Sequence, residues 1–274
     1  MSRLVLVPTP IGALNDITLH ALEVLRSADA VACEDTRRTG KLLARHGVSA
    51  RLERLDAHTV DGRGPALLDA HGTLAYVSDA GTPGISDPGA DLVRLALAAG
   101  HEVEVLPGPT AFVPALIVSG LPVGRFAFEG FLPRKGAERT RRLADLARRD
   151  HATALYEAPG RVAATLADLA EACGGDRPAS VSRELSKLHE ETRRGDLATL
   201  AADAAQRPAR GEHVIVIGPA PEPEAGEERT RADETADALR DAGLEGRTLR
   251  DALQALGVPR NEAYRLALEP PGDR

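Results

Sequence analysis

The sequence predicts an α/β fold in two domains, followed by a small module of helices. Three observations carry that expectation. Short apolar runs alternate with amphipathic helical stripes, several closed by a glycine, which is the pattern of strands connected through helices. Only 3% of the 274 residues are aromatic and Trp is absent, so the core is left to Ala, Val, Leu and Ile, which suits helices packed on sheets. A proline-rich, acidic stretch beginning at Pro219 sets the C-terminal end apart.

Taken in order, residues 4–7 are a continuous apolar run, fit for a strand buried on both faces. Residues 17–26 place Ile17, Leu19, Ala21, Leu22 and Leu25 on one helical stripe, with Asn15 or Asp16 as its cap. Residues 30–33 read as the next strand and 39–46 as a helix stopped by Gly47. The unit then repeats as strand 73–77, helix 90–99, strand 103–106 and helix 111–118. Together these make a first domain, residues 1–122, with a largely parallel sheet. A second domain, residues 123–218, reads as strands 125–131, 152–156, 179–184, 189–194 and 213–217 of mixed direction, with helices 137–149, 162–173 and 197–206. Residues 219–229 read as a linker, and 230–274 as a helical module with helices 230–241, 248–256 and 260–268.

Composition excludes several classes. No run of about 18 apolar residues is present. Residues 1–8 resemble a signal sequence only superficially, because Pro8 and Pro10 cut the run short, so a cytoplasmic protein is expected. Cys33 and Cys173 form no CxxC pair and read as small buried apolar residues in a reducing compartment. The eight histidines are scattered, so no metal site is indicated. A net charge of −7 argues against a chain coated in nucleic acid, but leaves room for a local basic face.

Three loops follow strand ends of the first domain, where ligands bind in open α/β sheets. They are residues 8–12, 78–89 and 107–111. Nine of the twelve residues of the middle loop are Gly, Pro, Asp or Ser; a simple turn is shorter. Glycine admits close backbone approach to a ligand and proline fixes the loop shape. There is no GxGxxG, Gly40-Lys41 lacks the flanks of a phosphate loop, and there is no GxSxG. Dinucleotide, ATP and serine-hydrolase sites are therefore not indicated.

Pro8-Thr9-Pro10-Ile11-Gly12, Glu34-Asp35-Thr36-Arg37, the run 77–89, Pro107-Gly108-Pro109-Thr110-Ala111, Gly130-Phe131-Leu132-Pro133, Tyr156-Glu157-Ala158-Pro159 and Arg183-Glu184-Leu185-Ser186-Lys187 occur in that order. In this the sequence resembles the tetrapyrrole methylase superfamily, and within it the bacterial 16S ribosomal RNA cytidine 2′-O-methyltransferases. The resemblance covers nearly all of residues 3–218, and residues 259–264 resemble that family's C-terminal module. Gly160 departs from it, standing where the family usually has His.

The resemblance implies two α/β domains with S-adenosyl-L-methionine in the cleft between them. It implies cofactor contacts at Pro10, Gly81, Thr82, Pro83, Ile85, Ser86, Thr110 and Ala111, and, from the second domain, at Tyr156, Ile217 and Gly218; the positive sulfonium also calls for a carboxylate nearby, such as Asp79. Transfer to a ribose 2′-oxygen needs a group to take its proton. Glu157, Glu184, Lys187 and, at the cofactor end, Asp79 are the candidates, a structural ion pair being the competing reading for each. The segment 125–150 carries eight Arg and Lys against four acids. Charge alone reads as a solvated helix face. The resemblance turns it into an RNA footprint, with Arg37, Arg38, Arg134, Lys135, Arg139, Arg161 and Arg183 as contacts. The tail module reads either as an RNA- or particle-docking element, with Arg247, Arg250, Arg260 and Arg265, or as a helical cap. Expected partners are 16S ribosomal RNA in the small ribosomal subunit and a second copy of the chain, with no membrane and no metal. The alternatives are a porphyrinoid C-methyltransferase and a non-catalytic regulator that binds S-adenosylmethionine or RNA.

Overall fold

A computed structural model describes residues 2–208, 210–221 and 225–268. The first sheet begins with β1 (Arg3–Leu6), whose residues after the first are fully buried, as an all-apolar run in a parallel sheet requires. Helix α1 (Leu19–Ser27) follows. Its cap is Thr18, which accepts the Ala21 N–H at 3.0 Å; Asn15 and Asp16 lie in a separate 3-10 turn and are too early to reach that amide. Leu19 therefore falls off the buried stripe of Ala21, Leu22 and Leu25 and faces solvent. Next come β2 (Ala30–Cys33) and α2 (Thr36–Arg45). The latter starts earlier than its apolar pattern suggests, because the Asp35 carboxylate accepts the Arg37 and Arg38 amides.

Two elements escape the sequence reading, β3 (Leu52–Arg54) and α3 (Val60–Ala70). Gly62, Gly64 and Pro65 disguise α3. Gly64 is there for packing: a Cβ would stand 3.2 Å from Leu92 of the neighbouring helix. The domain finishes with β4 (Thr73–Val77), α4 (Gly89–Ala98) and β5 (Glu102–Val105). The strand order is β3-β2-β4-β1-β5 and every pairing is parallel. One face packs Val5, Val31, Ala75 and Val77 against Leu22, Leu25, Leu42 and Leu43; the other packs Leu4, Leu74 and Tyr76 against Leu67, Leu68 and Leu92.

Helix α5 (Phe112–Ser119) follows β5 directly in the chain yet packs on the second sheet, where Ala115 and Leu116 meet Ala152, Ala154, Val214 and Val216. That sheet comprises β6 (Phe126–Phe131), β7 (Ala152–Glu157), β8 (Pro178–Arg183), β9 (Glu191–Asp196) and β10 (His213–Ile217). Its order is β6-β7-β10-β8-β9, with β6 and β7 parallel and the other pairs antiparallel. Helices α6 (Ala137–Ala147), α7 (Val162–Cys173) and α8 (Leu197–Ala205) contribute Leu146, Leu166, Leu169 and Leu200 to its other face. In β6, Glu129 and Gly130, between the paired Phe128 and Phe131, oppose the single Leu155 of β7, a bulge in which Gly130 has a φ of +63°.

Both sheets belong to one compact unit, Met1–Ala220; Pro221–Arg274 is a second. Of the segment expected as a linker, residues 222–224 lie outside the described residues. Helix α9 (Ala225–Asp241) takes up its far end. With α10 (Gly246–Ala255) and α11 (Arg260–Leu268), it forms a small core of Ala232, Ala236, Leu249, Leu253, Ala263 and Leu266. The module as expected from sequence runs on to 274, and residues 269–274 also lie outside the described residues. No described helix is long and apolar enough to cross a membrane. Cys33 and Cys173 are both free; Cys33 is buried and Cys173 partly so.

Candidate active site

The three loops expected to carry chemistry are stitched into one wall. Thr9 and Gly81 exchange two backbone hydrogen bonds, at 2.9 and 3.0 Å, and the Thr82 hydroxyl donates to Pro109 O at 2.9 Å. Asp87 clamps the middle loop by accepting the Gly84, Ile85 and Gly89 amides at 2.8–3.2 Å. Gly108 is needed for contact between loops, because a Cβ there would stand 2.3 Å from a Pro8 side-chain carbon.

Between this wall and the second sheet lies a cavity of about 410 Å³, within the range of about 300–1,000 Å³ usual for small-molecule sites. Of the expected cofactor residues, Asp79, Gly81, Thr82, Ile85, Ser86, Thr110, Ala111 and Tyr156 line it, as does Glu157. Pro10 and Pro83 are buried beneath the loops and leave the lining to their neighbours Ile11 and Thr82. Ile217 and Gly218 lie away from it. Strand β10 runs antiparallel to β7, so Ile217 pairs with Thr153 at the far end, and Gly218 is bonded to Pro178 O and Arg177. The start of β10, Glu212 and His213, takes that place in the lining. Nothing in an apolar run tells its direction in the sheet, so the sequence held no signal for this. Glu34 and Phe131 also line the cavity; both sit in motifs that the sequence displays without assigning them a contact.

Three carboxylates gather on the first wall. Burial, together with the charges of Asp79, Asp87 and Asp56, pushes the Glu34 carboxyl up, against a hydrogen bond from the Asp79 amide. Asp79 pairs through Oδ2 with Arg38 at 2.9 Å, while its Oδ1 is buried without a hydrogen-bond partner among the described residues. On the other wall the bulge at Gly130 brings Phe131 opposite Tyr156, with ring centroids 5.7 Å apart. Burial raises the Tyr156 phenol, and the Phe112 and Ala111 amides at the head of α5 pull it back. The four phenylalanines of the chain, Phe112, Phe126, Phe128 and Phe131, all stand in this region.

The proton-taking candidates fare differently. Glu157 is 2% exposed, and its oxygens accept from the Ala158 amide (2.8 Å) and the Thr165 hydroxyl (2.6 Å) and pair with Arg161 (3.2 Å). It is occupied as a structural anchor. Lys187 reaches Glu184 and Glu212, each at 3.0 Å. Burial pulls the ammonium down, but the two carboxylates prevail and hold it above the usual lysine value. The pairing with two carboxylates favours the charged form of Lys187. Glu184 is held below the usual carboxylate range, chiefly by Lys187.

The basic residues separate likewise. Arg139, expected to contact RNA, is buried, paired with Asp168 and bonded to Pro133 O and Thr165 in the interior of the α6–α7 contact. Arg161 turns inward onto Leu132 O and Glu157, and Arg183 pairs with Glu191 at 2.9 Å. Arg37 is 87% exposed beside Asp35, Arg38 stands at the cavity rim, and Arg134 and Lys135 are exposed with no ion pair among the described residues. No three His, Cys, Asp or Glu side chains among the described residues form a metal site.

A two-sheet unit with a cavity walled by glycine- and proline-rich strand-end loops is the architecture of a known class. The chain belongs to the tetrapyrrole (corrin/porphyrin) methylase family, whose model matches residues 3–201. Two solved structures share the fold. Cobalt precorrin-4 methyltransferase has a TM-score of 0.61 at 18% identity, over 81% of this chain and 96% of that one. Uroporphyrin-III C-methyltransferase from Thermus thermophilus, in complex with S-adenyl homocysteine, has a TM-score of 0.58 at 22% identity, over 79% and 97%. Within the family, the chain is similar to ribosomal RNA small subunit methyltransferase I of Synechocystis, 43% identical over 98% of both chains. It is 44% identical to that of Micromonospora olivasterospora, over 98% of this chain and 88% of the relative, and 46% identical to that of Mycobacterium tuberculosis, over 81% and 80%.

Proposed function

We propose that the protein is an S-adenosyl-L-methionine-dependent methyltransferase that modifies a cytidine ribose 2′-oxygen in 16S ribosomal RNA of the small ribosomal subunit. The end-to-end similarity to small-subunit RNA methyltransferases carries this reading. The cavity suits the cofactor in size and chemistry. Asp79 offers a buried oxygen with no hydrogen-bond partner among the described residues, and with Glu34 and Asp87 it makes a negative wall suited to a cationic sulfonium. The backbone of Ala80, Thr82 and Thr110 offers amide and carbonyl groups to the edge of an adenine. When bound, S-adenosylmethionine supplies an activated methyl group.

Phe131 and Tyr156 form the aromatic side of the cavity, suited to stack against the target base. Arg37, Arg38, Arg134 and Lys135 supply the phosphate contacts, and the C-terminal unit docks on the ribosomal RNA. The active form is a homodimer: α5 leaves Val113 and Ile117 exposed beside the Phe112–Phe126 pair, an apolar face that a second copy covers.

The deciding experiment offers labelled S-adenosylmethionine with small subunits lacking the modification, naked 16S RNA and a porphyrinoid precursor in parallel. Label mapped to a 2′-O-methylcytidine supports the reading. Label on the porphyrinoid alone overturns it.

A further inference from the structure

Five carboxylates and one imidazole line the cavity: Glu34, Asp79, Asp87, Glu157, Glu212 and His213. Asp87 is spent on loop amides and Glu157 on Ala158, Thr165 and Arg161. Glu34 and Asp79 belong to the first wall, where one bonds the other's amide and Asp79 is tied to Arg38. Glu212 differs. Its side chain is 68% exposed, Oε2 is held by Lys187 at 3.0 Å, and Oε1 has no hydrogen-bond partner among the described residues. It also lines the cavity from the second sheet, immediately before β10.

Its position is heavily determined. Glu184 grips the Glu212 backbone twice, donating its amide to Glu212 O and accepting the Glu212 amide on Oε1, both at 3.1 Å. The same Oε1 accepts from Lys187. Gly211 has a φ of +82°, and a Cβ there would run into Glu184 at 2.7 Å. Among the described residues, the only non-glycine residues with left-handed backbone are Ser86, Glu184 and Ser186. Two of these belong to the strap that presents Lys187, and the third lines the cavity. Such strain persists where the surroundings over-determine it, and it gathers at functional sites.

We propose that Glu212 is the general base of the methyl transfer, with Lys187 and Glu184 as positioning residues; this rests on the RNA 2′-O-methyltransferase reading. The O–H bond of the ribose hydroxyl breaks as its oxygen bonds the donated methyl carbon. The proton passes to Glu212 Oε1, and the electron pair of the broken methyl–sulfur bond stays on sulfur. Lys187, kept charged by its two carboxylates, fixes Oε2 and so aims Oε1 at the cavity. Glu184 holds both partners in place.

The test uses the full chain and three readouts: turnover on RNA, calorimetric affinity for S-adenosylhomocysteine, and RNA affinity. Glu212→Gln lowers kcat about 100-fold or more, the scale of general-base catalysis, with both affinities unchanged. Glu212→Asp recovers part of the loss. Lys187→Met and Glu184→Gln lower kcat less, at unchanged KM. Wild-type turnover in Glu212→Gln overturns the proposal, as does a loss fully accounted for by weaker binding. Should Glu212→Gln fail to fold, Glu212→Asp decides: it keeps the charge but withdraws the free oxygen by one methylene, so undiminished kcat overturns the proposal. If the wild-type chain methylates no RNA while still binding S-adenosylhomocysteine, the functional reading fails instead.

Discussion

The two sheets contribute to the cavity in different materials. The first sheet, parallel and buried on both faces, offers loop backbone, fixed by the Thr9–Gly81 bridge, the Thr82 hydroxyl and the Asp87 clamp, with the carboxylates of Glu34 and Asp79 set beside it. The second sheet, of mixed direction and interrupted by a bulge, offers side chains: Phe131, Tyr156, Glu212 and His213. A backbone wall cannot be retuned by single substitutions without remaking the loop. A side-chain wall can. The contrast fits a shared donor on one side and a substrate that differs among relatives on the other.

The hardest strike on this contrast is Gly108→Ala. The added methyl has no room against Pro8, so overpacking costs about 1–3 kcal/mol in urea unfolding. Calorimetric affinity for S-adenosylhomocysteine falls with it; undiminished affinity breaks the idea of a backbone wall. Of similar size but without reach to the ligand is Arg139→Ala, which removes hydrogen bonds to Asp168, Thr165 and Pro133. It costs about 1–3 kcal/mol of stability and leaves the salt dependence of RNA binding intact. Phe131→Ala weakens RNA binding by the ~1–3 kcal/mol that a stacked base is worth. An unchanged KM for RNA removes the ring from the substrate side.

Arg134→Ala with Lys135→Ala leaves thermal unfolding within about 0.5 kcal/mol of wild type. In a salt titration of RNA affinity the slope flattens by about one per charge removed. The smallest effect is Glu34→Gln. Glu34 is raised in the folded state, so its ionisation costs stability above that raised value. The amide variant is slightly more stable at neutral pH. Its advantage vanishes below the ordinary glutamate range, where both states of the wild type are protonated. Melting curves across pH read this, and an advantage growing toward acid contradicts it.

Much of the fold was legible because apolar period and glycine stops act locally. Ala30–Cys33, Thr73–Val77, Val162–Cys173, His213–Ile217 and Arg260–Leu268 stand at the residues where those signals place them. What stayed hidden depends on tertiary contact. Helix α3 keeps Gly64 because α4 packs closely against it there, and α5 leaves the sheet it follows because its apolar residues meet β7 and β10. The strand-end loops were readable from composition. The second wall was not, since strand direction decides that Glu212 and not Gly218 faces the cavity, and ion pairing decides that Arg139 is structural.

The loops of the first wall hold Pro8, Pro10, Pro83, Pro88, Pro107 and Pro109. Each proline narrows the freedom of the chain before it folds. The ordering of that surface is thus completed when the protein folds, and a ligand arriving later meets a finished mould. Capture should accordingly proceed without a slow rearrangement of these loops, in the manner of a pre-shaped receptor.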